Sequence, residues 1–252
     1  MVAIYFSGTG NTRHCAEALL RALDSTAEAV PMEDPAAEEL LAAHACILLA
    51  YPVQFSNAPA LVRDFIRRHA ALWPGKRVLC LATMGLFSGD GAGCAARLLR
   101  RYGAEILGGL HLKMPDSVCD VRLLKRPLEK NRAIVRAADR KIAQTAENIR
   151  RGRYPQDGLR FYDRIAGFFC QRLWCGGKNR DYSRGPRVHE GCAGCGLCAR
   201  LCPTGNLTVQ DGRAAAGDRC TLCYRCVSAC PEQALTLLGG AVVEQCRYAR
   251  YD

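Results

Sequence analysis

The 252-residue sequence has no apolar run approaching the ~18 residues that a membrane-spanning helix needs. Its first residues, Met1-Val2-Ala3-Ile4-Tyr5-Phe6, lack the basic n-region and long apolar stretch of a signal peptide, so a cytoplasmic protein is expected. Aromatic residues are few, at 7%, but apolar residues make up 49%, which excludes a disordered or fibrous chain. Lys and Arg exceed Asp and Glu by 35 to 24, yet no nucleic-acid-binding motif accompanies them and no aromatics are interleaved with them. A nucleic-acid partner is therefore not expected. Cysteine is the opposite case. Sixteen cysteines in a chain without an export signal fit a reducing compartment, where thiols stay reduced and metal centres survive.

Eight of the sixteen cysteines form two copies of one pattern. Cys192, Cys195, Cys198 and Cys202 precede Pro203, and Cys220, Cys223, Cys226 and Cys230 precede Pro231. Each copy reads C-x2-C-x2-C-x3-C-P, the run that binds [4Fe–4S] clusters in bacterial proteins. The repeat continues past the ligands, since Leu207-Thr208-Val209 matches Leu235-Thr236-Leu237 at the same offset. Zinc ribbons separate two CxxC pairs by a long spacer, and disulfide frameworks belong to short secreted chains; neither fits this pattern. Two [4Fe–4S] clusters are expected. Outside the motif, Cys46 and Cys80 fall in apolar runs and Cys15 and Cys94 in helical stretches, where they read as small core residues. Cys170, Cys175 and Cys246 lack metal-ligand spacing, and His14 reads as a surface or packing residue.

The opening apolar run breaks into Ser7-Gly8-Thr9-Gly10-Asn11-Thr12, after which Cys15, Ala16, Leu19, Leu20 and Leu23 recur at helical spacing. Strand, glycine-bearing loop and helix together gather backbone N–H groups, hydroxyls and a helix N-terminus around one point, which suits a phosphate monoester. The Gly-Lys-Ser/Thr ending of a P-loop is missing, as is the third glycine of a dinucleotide fingerprint. Further strands are expected at Thr26 to Val30, Ala45 to Ala50, Arg77 to Thr83 and Ala104 to Leu112. The helices between them fall at Pro35 to Ala43, Ala58 to Ala70 and Asp90 or Gly91 to Tyr102. This alternation argues for α/β architecture, a parallel sheet with helices on both faces. Gly89-Asp90-Gly91-Ala92-Gly93 reads as a flexible loop feeding a helix. Beyond the fifth strand, Asn131 to Arg150 is an amphipathic helix, and another is expected from Gly158 or Leu159 to Trp174, followed by a glycine-rich linker from Gly176 to Pro186.

The loop Ser7 to Thr12, directly after the first strand, resembles the FMN-phosphate loop of flavodoxins, T/S-x-T-G-x-T. With the cysteine repeat, the whole chain resembles the flavodoxin–ferredoxin fusion proteins of anaerobes. That resemblance implies a five-stranded flavodoxin-like domain holding FMN and a small α+β ferredoxin domain holding both clusters. It divides the chain into residues 1–115, the FMN-binding domain; 116–184, a helical connector; 185–240, the cluster domain; and 241–252, a C-terminal tail. Ligands in such open sheets lie beyond the strand carboxyl ends. Besides Ser7, Gly8, Thr9, Gly10, Asn11 and Thr12, the FMN is therefore expected to meet Tyr51, Pro52, Val53, Gln54 and Phe55 after the third strand. After the fourth it is expected to meet Thr83, Met84, Gly85 and Phe87. Phe55 or Tyr51 on one side and Phe87 or Leu86 on the other are candidates to stack on the ring, Gly85 would let backbone approach it, and Cys119 is a candidate neighbour. The resemblance further implies that Cys192, Cys195, Cys198 and Cys230 hold one cluster, and Cys202, Cys220, Cys223 and Cys226 the other.

These cofactors change the charge account. Each oxidised cluster with its thiolates carries about −2, and an FMN phosphate about −2 more, which brings the formal +11 down to about +5. The remaining basicity lies mostly between Arg122 and Arg187, either as a solvated helical face or as a docking face for an acidic redox partner. Clusters move one electron at a time and a flavin moves one or two. The expected function is electron transfer between the clusters and FMN for a partner oxidoreductase. Two alternatives stand beside it: an FMN-dependent reductase fed by the clusters and acting on a small substrate, and an iron–sulfur binding or sensing module without flavin.

Overall fold

The alternating apolar runs condense into one parallel sheet. The computed structural model, which describes residues 1–163 and 185–252, places β1 at Val2–Tyr5, β2 at Ala29–Pro31, β3 at Cys46–Pro52, β4 at Arg77–Met84 and β5 at Glu105–Lys113. Their order is β2-β1-β3-β4-β5, the flavodoxin-like arrangement whose switch point lies between β1 and β3. Register is fixed by apolar pairs on both sides of β1, with Ile4 opposite both Val30 and Leu49. Helices α1 (Asn11–Leu23), α2 (Ala36–Ala43), α3 (Ala60–Arg68), α4 (Gly91–Arg101) and α5 (Leu128–Arg150) cover the two faces.

Side-chain alternation along the strands divides the core in two. Val2, Ile4 and Phe6 point to the face covered by α2, α3 and α4, where Leu41, Ile66, Trp73 and Leu99 are fully buried. Ala3 and Tyr5 point to the opposite face, where Cys15, Leu19 and Leu20 of α1 meet Val135, Ala138, Ile142, Ala146 and Ile149 of α5. This placement corrects part of the expected connector: α5 is a layer of the doubly wound domain, packed beside α1. Its apolar stripe alone does not say which neighbour covers it. Its outer arginines are partly neutralised within the helix, as Arg132 pairs with Glu129 and Arg150 with Glu147.

Most of the expected helix from Gly158 or Leu159 to Trp174 (residues 164–174), with Cys170, Cys175 and most of the linker from Gly176 to Pro186, lies outside the described residues; within them the chain is helical at 161–163. The 89–93 segment is no loose loop. Asp90 is fully buried with Arg97 at 2.6 Å, and Gly91 and Gly93 pack against Val53 and the Gly158 carbonyl in the first turn of α4.

In the C-terminal region β6 (Arg187–Val188) pairs antiparallel with β9 (Leu235–Thr236), and β7 (Leu207–Gln210) with β8 (Arg213–Ala216). Asp211 and Gly212 turn the β7–β8 hairpin, both at positive φ, as a two-residue hairpin requires. Each cysteine motif ends in a short helix, α6 (Leu197–Leu201) or α7 (Arg225–Ala229), that carries the third cysteine and is terminated by the fourth. These helices, both sheets and most of the motif cysteines form a third core, which also takes in Cys119 and Cys246.

The two regions are tightly joined. A Cβ added to Gly8 would overlap the carbonyl oxygen of Cys223, so loop and motif touch backbone to backbone. Arg225 donates to the Ser7 carbonyl at 2.8 Å and pairs with Glu33, while Gln54 Nε2 donates to the Thr221 carbonyl at 2.8 Å. Asp120 accepts from Tyr224 Oη at 2.8 Å and from the N–H groups of Leu237 and Leu238. The segment expected as a tail is packed: Tyr248 N–H donates to the Thr9 carbonyl at 2.9 Å, and Tyr251 is buried against the sheet beside α1 and α5.

Candidate functional site

The carboxyl ends of β1, β3, β4 and β5 open into a cleft of about 250 Å³. Ser7, Gly8, Thr9, Asn11 and Thr12 form its floor, Pro52 to Phe55 one rim, and Thr83 to Phe87 the other. Thr12 Oγ1 meets Thr83 Oγ1 at 2.8 Å and Thr9 Oγ1 meets Ser117 Oγ at 2.8 Å, so the hydroxyls are held in place around the start of α1. Asn11 is buried; its Nδ2 donates to the Pro115 carbonyl at 2.8 Å, while its Oδ1 has no partner within the protein. Hydroxyls and the backbone N–H groups of a helix N-terminus form a cradle that fits an anionic cofactor end, while the unsatisfied Asn11 Oδ1 can only accept, from a donor group of a ligand.

The rims suit a flat ring. Gln54 and Asn57 exchange backbone hydrogen bonds of 3.0 and 2.9 Å around Phe55 and Ser56, whose φ values are 48° and 54°. Such a turn favours glycine or asparagine, so a phenylalanine there is strained backbone at a binding rim. Leu86 and Phe87 stand out on the other rim, 61% and 43% exposed. Between them, a Cβ on Gly85 would overlap the carboxylate of Asp116. Burial pushes the Asp116 carboxyl up, against the Val118 N–H that holds it down.

Two expected contacts are placed elsewhere. Tyr51 does not line the cleft: β3 alternation turns it into the core, where its hydroxyl donates to the Gly91 carbonyl at 2.8 Å and burial raises its pKa. Gly10 supplies the bend, at φ 98°, but faces Tyr248. Residues that sequence reasoning passed over also line the cleft. Met114 to Val118 follow β5, and the strand-end rule applied to that strand would have found them. Leu222, Cys223, Tyr224 and Leu238 arrive from the C-terminal region and carry no local signal.

The eight motif cysteines surround two further cavities. Cys192, Cys195, Cys198 and Cys230 line one; Cys202, Cys220, Cys223 and Cys226 line the other. Each set takes three thiols from one motif and the fourth from its twin, because α6 and α7 pack side by side. Backbone N–H groups point at the sulfurs, from Ala214 to Cys192 at 3.4 Å, Asn206 to Cys202 at 3.2 Å and Ala234 to Cys230 at 3.4 Å. Among the described residues no three His, Cys, Asp or Glu side chains converge on a point that would hold a single ion. Four thiols spread around a cavity suit a cubane with one sulfur per corner, and do not suit a lone zinc. Burial pushes Cys223 up to about 11 and raises Cys226 and Cys220, so a positively charged iron core is what would keep these thiols ionised.

Cys119 lies beneath the cleft, and it does not line it. It is fully buried, with its sulfur 3.2 Å from Ser228 Oγ and hydrogen-bonded to Cys246, whose own sulfur accepts from Lys125 Nζ at 2.9 Å. The hydrogen bond between the two sulfurs pulls the Cys119 thiol down and pushes the Cys246 thiol up, burial adds to the rise at Cys246, and the Lys125 ammonium lowers both. His14 is a packing residue, stacked on Tyr248 with ring centroids 4.1 Å apart and bonded to Asp139.

Comparison with known proteins gives the same division. The flavodoxin domain model matches residues 2–101, and two models described as 4Fe-4S binding domains match residues 189–205 and 217–235. Among solved structures, a flavodoxin from Megasphaera elsdenii is 28% identical with a TM-score of 0.41, covering 44% of this chain and 85% of its own. An archaeal flavodoxin is 16% identical with a TM-score of 0.43, covering 59% and 97%. The Trp repressor binding protein from Bacillus subtilis is 16% identical with a TM-score of 0.44, covering 57% and 96%. No curated protein matches the chain. The matched domains imply FMN and two [4Fe–4S] clusters, and the chain is a flavodoxin domain fused to a ferredoxin-type region of two 4Fe-4S binding domains.

Proposed function

We propose that this protein is a cytoplasmic electron carrier that moves electrons between two [4Fe–4S] clusters and FMN on behalf of a partner oxidoreductase. One observation carries the reading: Cys223 lines both a four-thiol cavity and the cleft floored by the Ser7 to Thr12 loop, so two cofactor sites share a wall. FMN, when bound, supplies one- and two-electron chemistry beside one-electron centres. The chain's own residues do the rest. Ser7, Gly8, Thr9, Asn11 and Thr12 hold the phosphate end, with Gly10 bending the loop beneath it. Pro52, Val53, Gln54 and Phe55 and the segment Thr83, Met84, Gly85 and Phe87 enclose the ring. The quartets Cys192, Cys195, Cys198, Cys230 and Cys202, Cys220, Cys223, Cys226 hold the clusters. Leu222, Tyr224 and Leu238 line the cleft from the cluster side. Cofactor analysis of anaerobically purified protein tests the assignment. About eight irons and one FMN per chain are expected; clusters without any flavin would overturn it.

A further inference from the structure

The two cysteine motifs share one backbone path and differ in what decorates it. In the first copy Gly194 and Gly196 flank the middle cysteine, Cys195, with φ of 64° and 71°. In the second, Leu222 and Tyr224 flank Cys223 with φ of 51° and 60°. A non-glycine residue in this left-handed conformation costs roughly 1–2 kcal/mol, so the second copy twice forgoes the relaxed choice its twin makes. Both departures serve the cleft. Leu222 and Tyr224 line it, and Tyr224 is anchored through its hydroxyl to Asp120. The cysteines between these flanking residues diverge in the same sense. Cys223 forms the shared wall with its carbonyl against Gly8, whereas Cys195 is the one exposed cysteine among the described residues and lines only its own cavity.

We propose that the two cluster sites have fixed and different stations. The Cys192–Cys195–Cys198–Cys230 site exchanges electrons at the Cys195 surface with an external one-electron redox protein. The Cys202–Cys220–Cys223–Cys226 site relays them through Cys223 to the cleft. Leu222 and Tyr224 are positioning residues that seat the cofactor against that relay. This ordering rests on the electron-carrier reading above. In the reducing direction each passage oxidises one donor molecule by one electron; two passages and two protons from solvent convert one FMN to its dihydro form. Oxidation runs the same route in reverse. No bond to the chain is made or broken.

The test converts the second loop to the first. In the double variant Leu222→Gly/Tyr224→Gly the backbone keeps its preferred residues, so iron stays at about eight per chain while the FMN dissociation constant, read by flavin fluorescence, rises at least about tenfold. The single variant Leu222→Gly should move in the same direction, which keeps the test decisive if the double variant loses iron. Unchanged FMN affinity in an iron-replete variant overturns the proposal. A wild-type protein that binds no FMN would instead overturn the carrier reading. For the outer station, Arg200→Glu, a charge reversal at the exposed side chain that donates to the Cys195 carbonyl, should leave iron content and FMN affinity unchanged and slow reduction by a protein-sized ferredoxin at least about tenfold, with a smaller loss for a viologen able to reach the inner site. Equal losses with both donors overturn the ordering.

Discussion

His111 shows how one residue sets a pH limit. The Ala92 N–H donates to its Nε2 at 3.2 Å, so the proton sits on Nδ1 and is donated to Ser88 Oγ at 2.7 Å. Both nitrogens are committed to the neutral ring, and burial pushes the pKa below the ordinary value, with Asp157 opposing. A group held neutral in the fold binds fewer protons than in the unfolded chain once the pH drops below about 6.5. Its contribution is complete above that value and lost as pH falls through the lowered folded pKa. The unfolding midpoint of the wild-type protein should therefore drop between about pH 7 and pH 5 more steeply than that of His111→Gln. Parallel profiles, or a His111 ring that titrates by NMR at or above the ordinary value, would refute this.

Individual elements were legible wherever a local period or turn chemistry specifies them. Five strands and all five sheet-covering helices fall within a few residues of their expected places, because β3 and β4 are continuous apolar runs and α1 and α3 carry clean apolar stripes. The bend at Gly10 was readable for the same reason. What failed was partnership. The stripe of α5 was visible, but only the packed core shows that Val135, Ile142 and Ala146 complete the sheet's second face. Tyr51 was misplaced because its loop neighbours point into the cleft and strand alternation turns it away. The Leu222–Tyr224 wall had no local signal beyond the absence of two glycines that the first copy has. If α5 belongs to the sheet, Ile142→Ala should destabilise the flavodoxin domain by about 2–5 kcal/mol in denaturant titrations. A loss below about 0.5 kcal/mol, typical of a surface site, would mean the helix is only a connector.

At the scale of the whole molecule the two regions behave as one body because their backbones interlock. Gly8 meets Cys223, Arg225 reaches Ser7, and Asp120 receives Tyr224, Leu237 and Leu238. A methyl group at Gly8 has no room, so Gly8→Ala must push the cysteine motif away from the loop at a cost of about 1–3 kcal/mol. Unfolding followed by cluster absorbance and by far-ultraviolet circular dichroism should coincide in the wild-type protein and separate in the variant. Coincident curves in both would show that the junction does not couple the two regions.

The hydrogen bond from Tyr248 to the Thr9 carbonyl also has a consequence for assembly. It joins positions far apart in sequence, and the chain between them includes both cysteine motifs, so closing it carries a large loop entropy until those motifs are compact. The phosphate loop is thus supported from beyond both cysteine motifs, so flavin uptake is expected to depend on their being compact. Protein produced under iron limitation should retain well below one FMN per chain even with FMN in excess, and anaerobic reconstitution of the clusters should restore it.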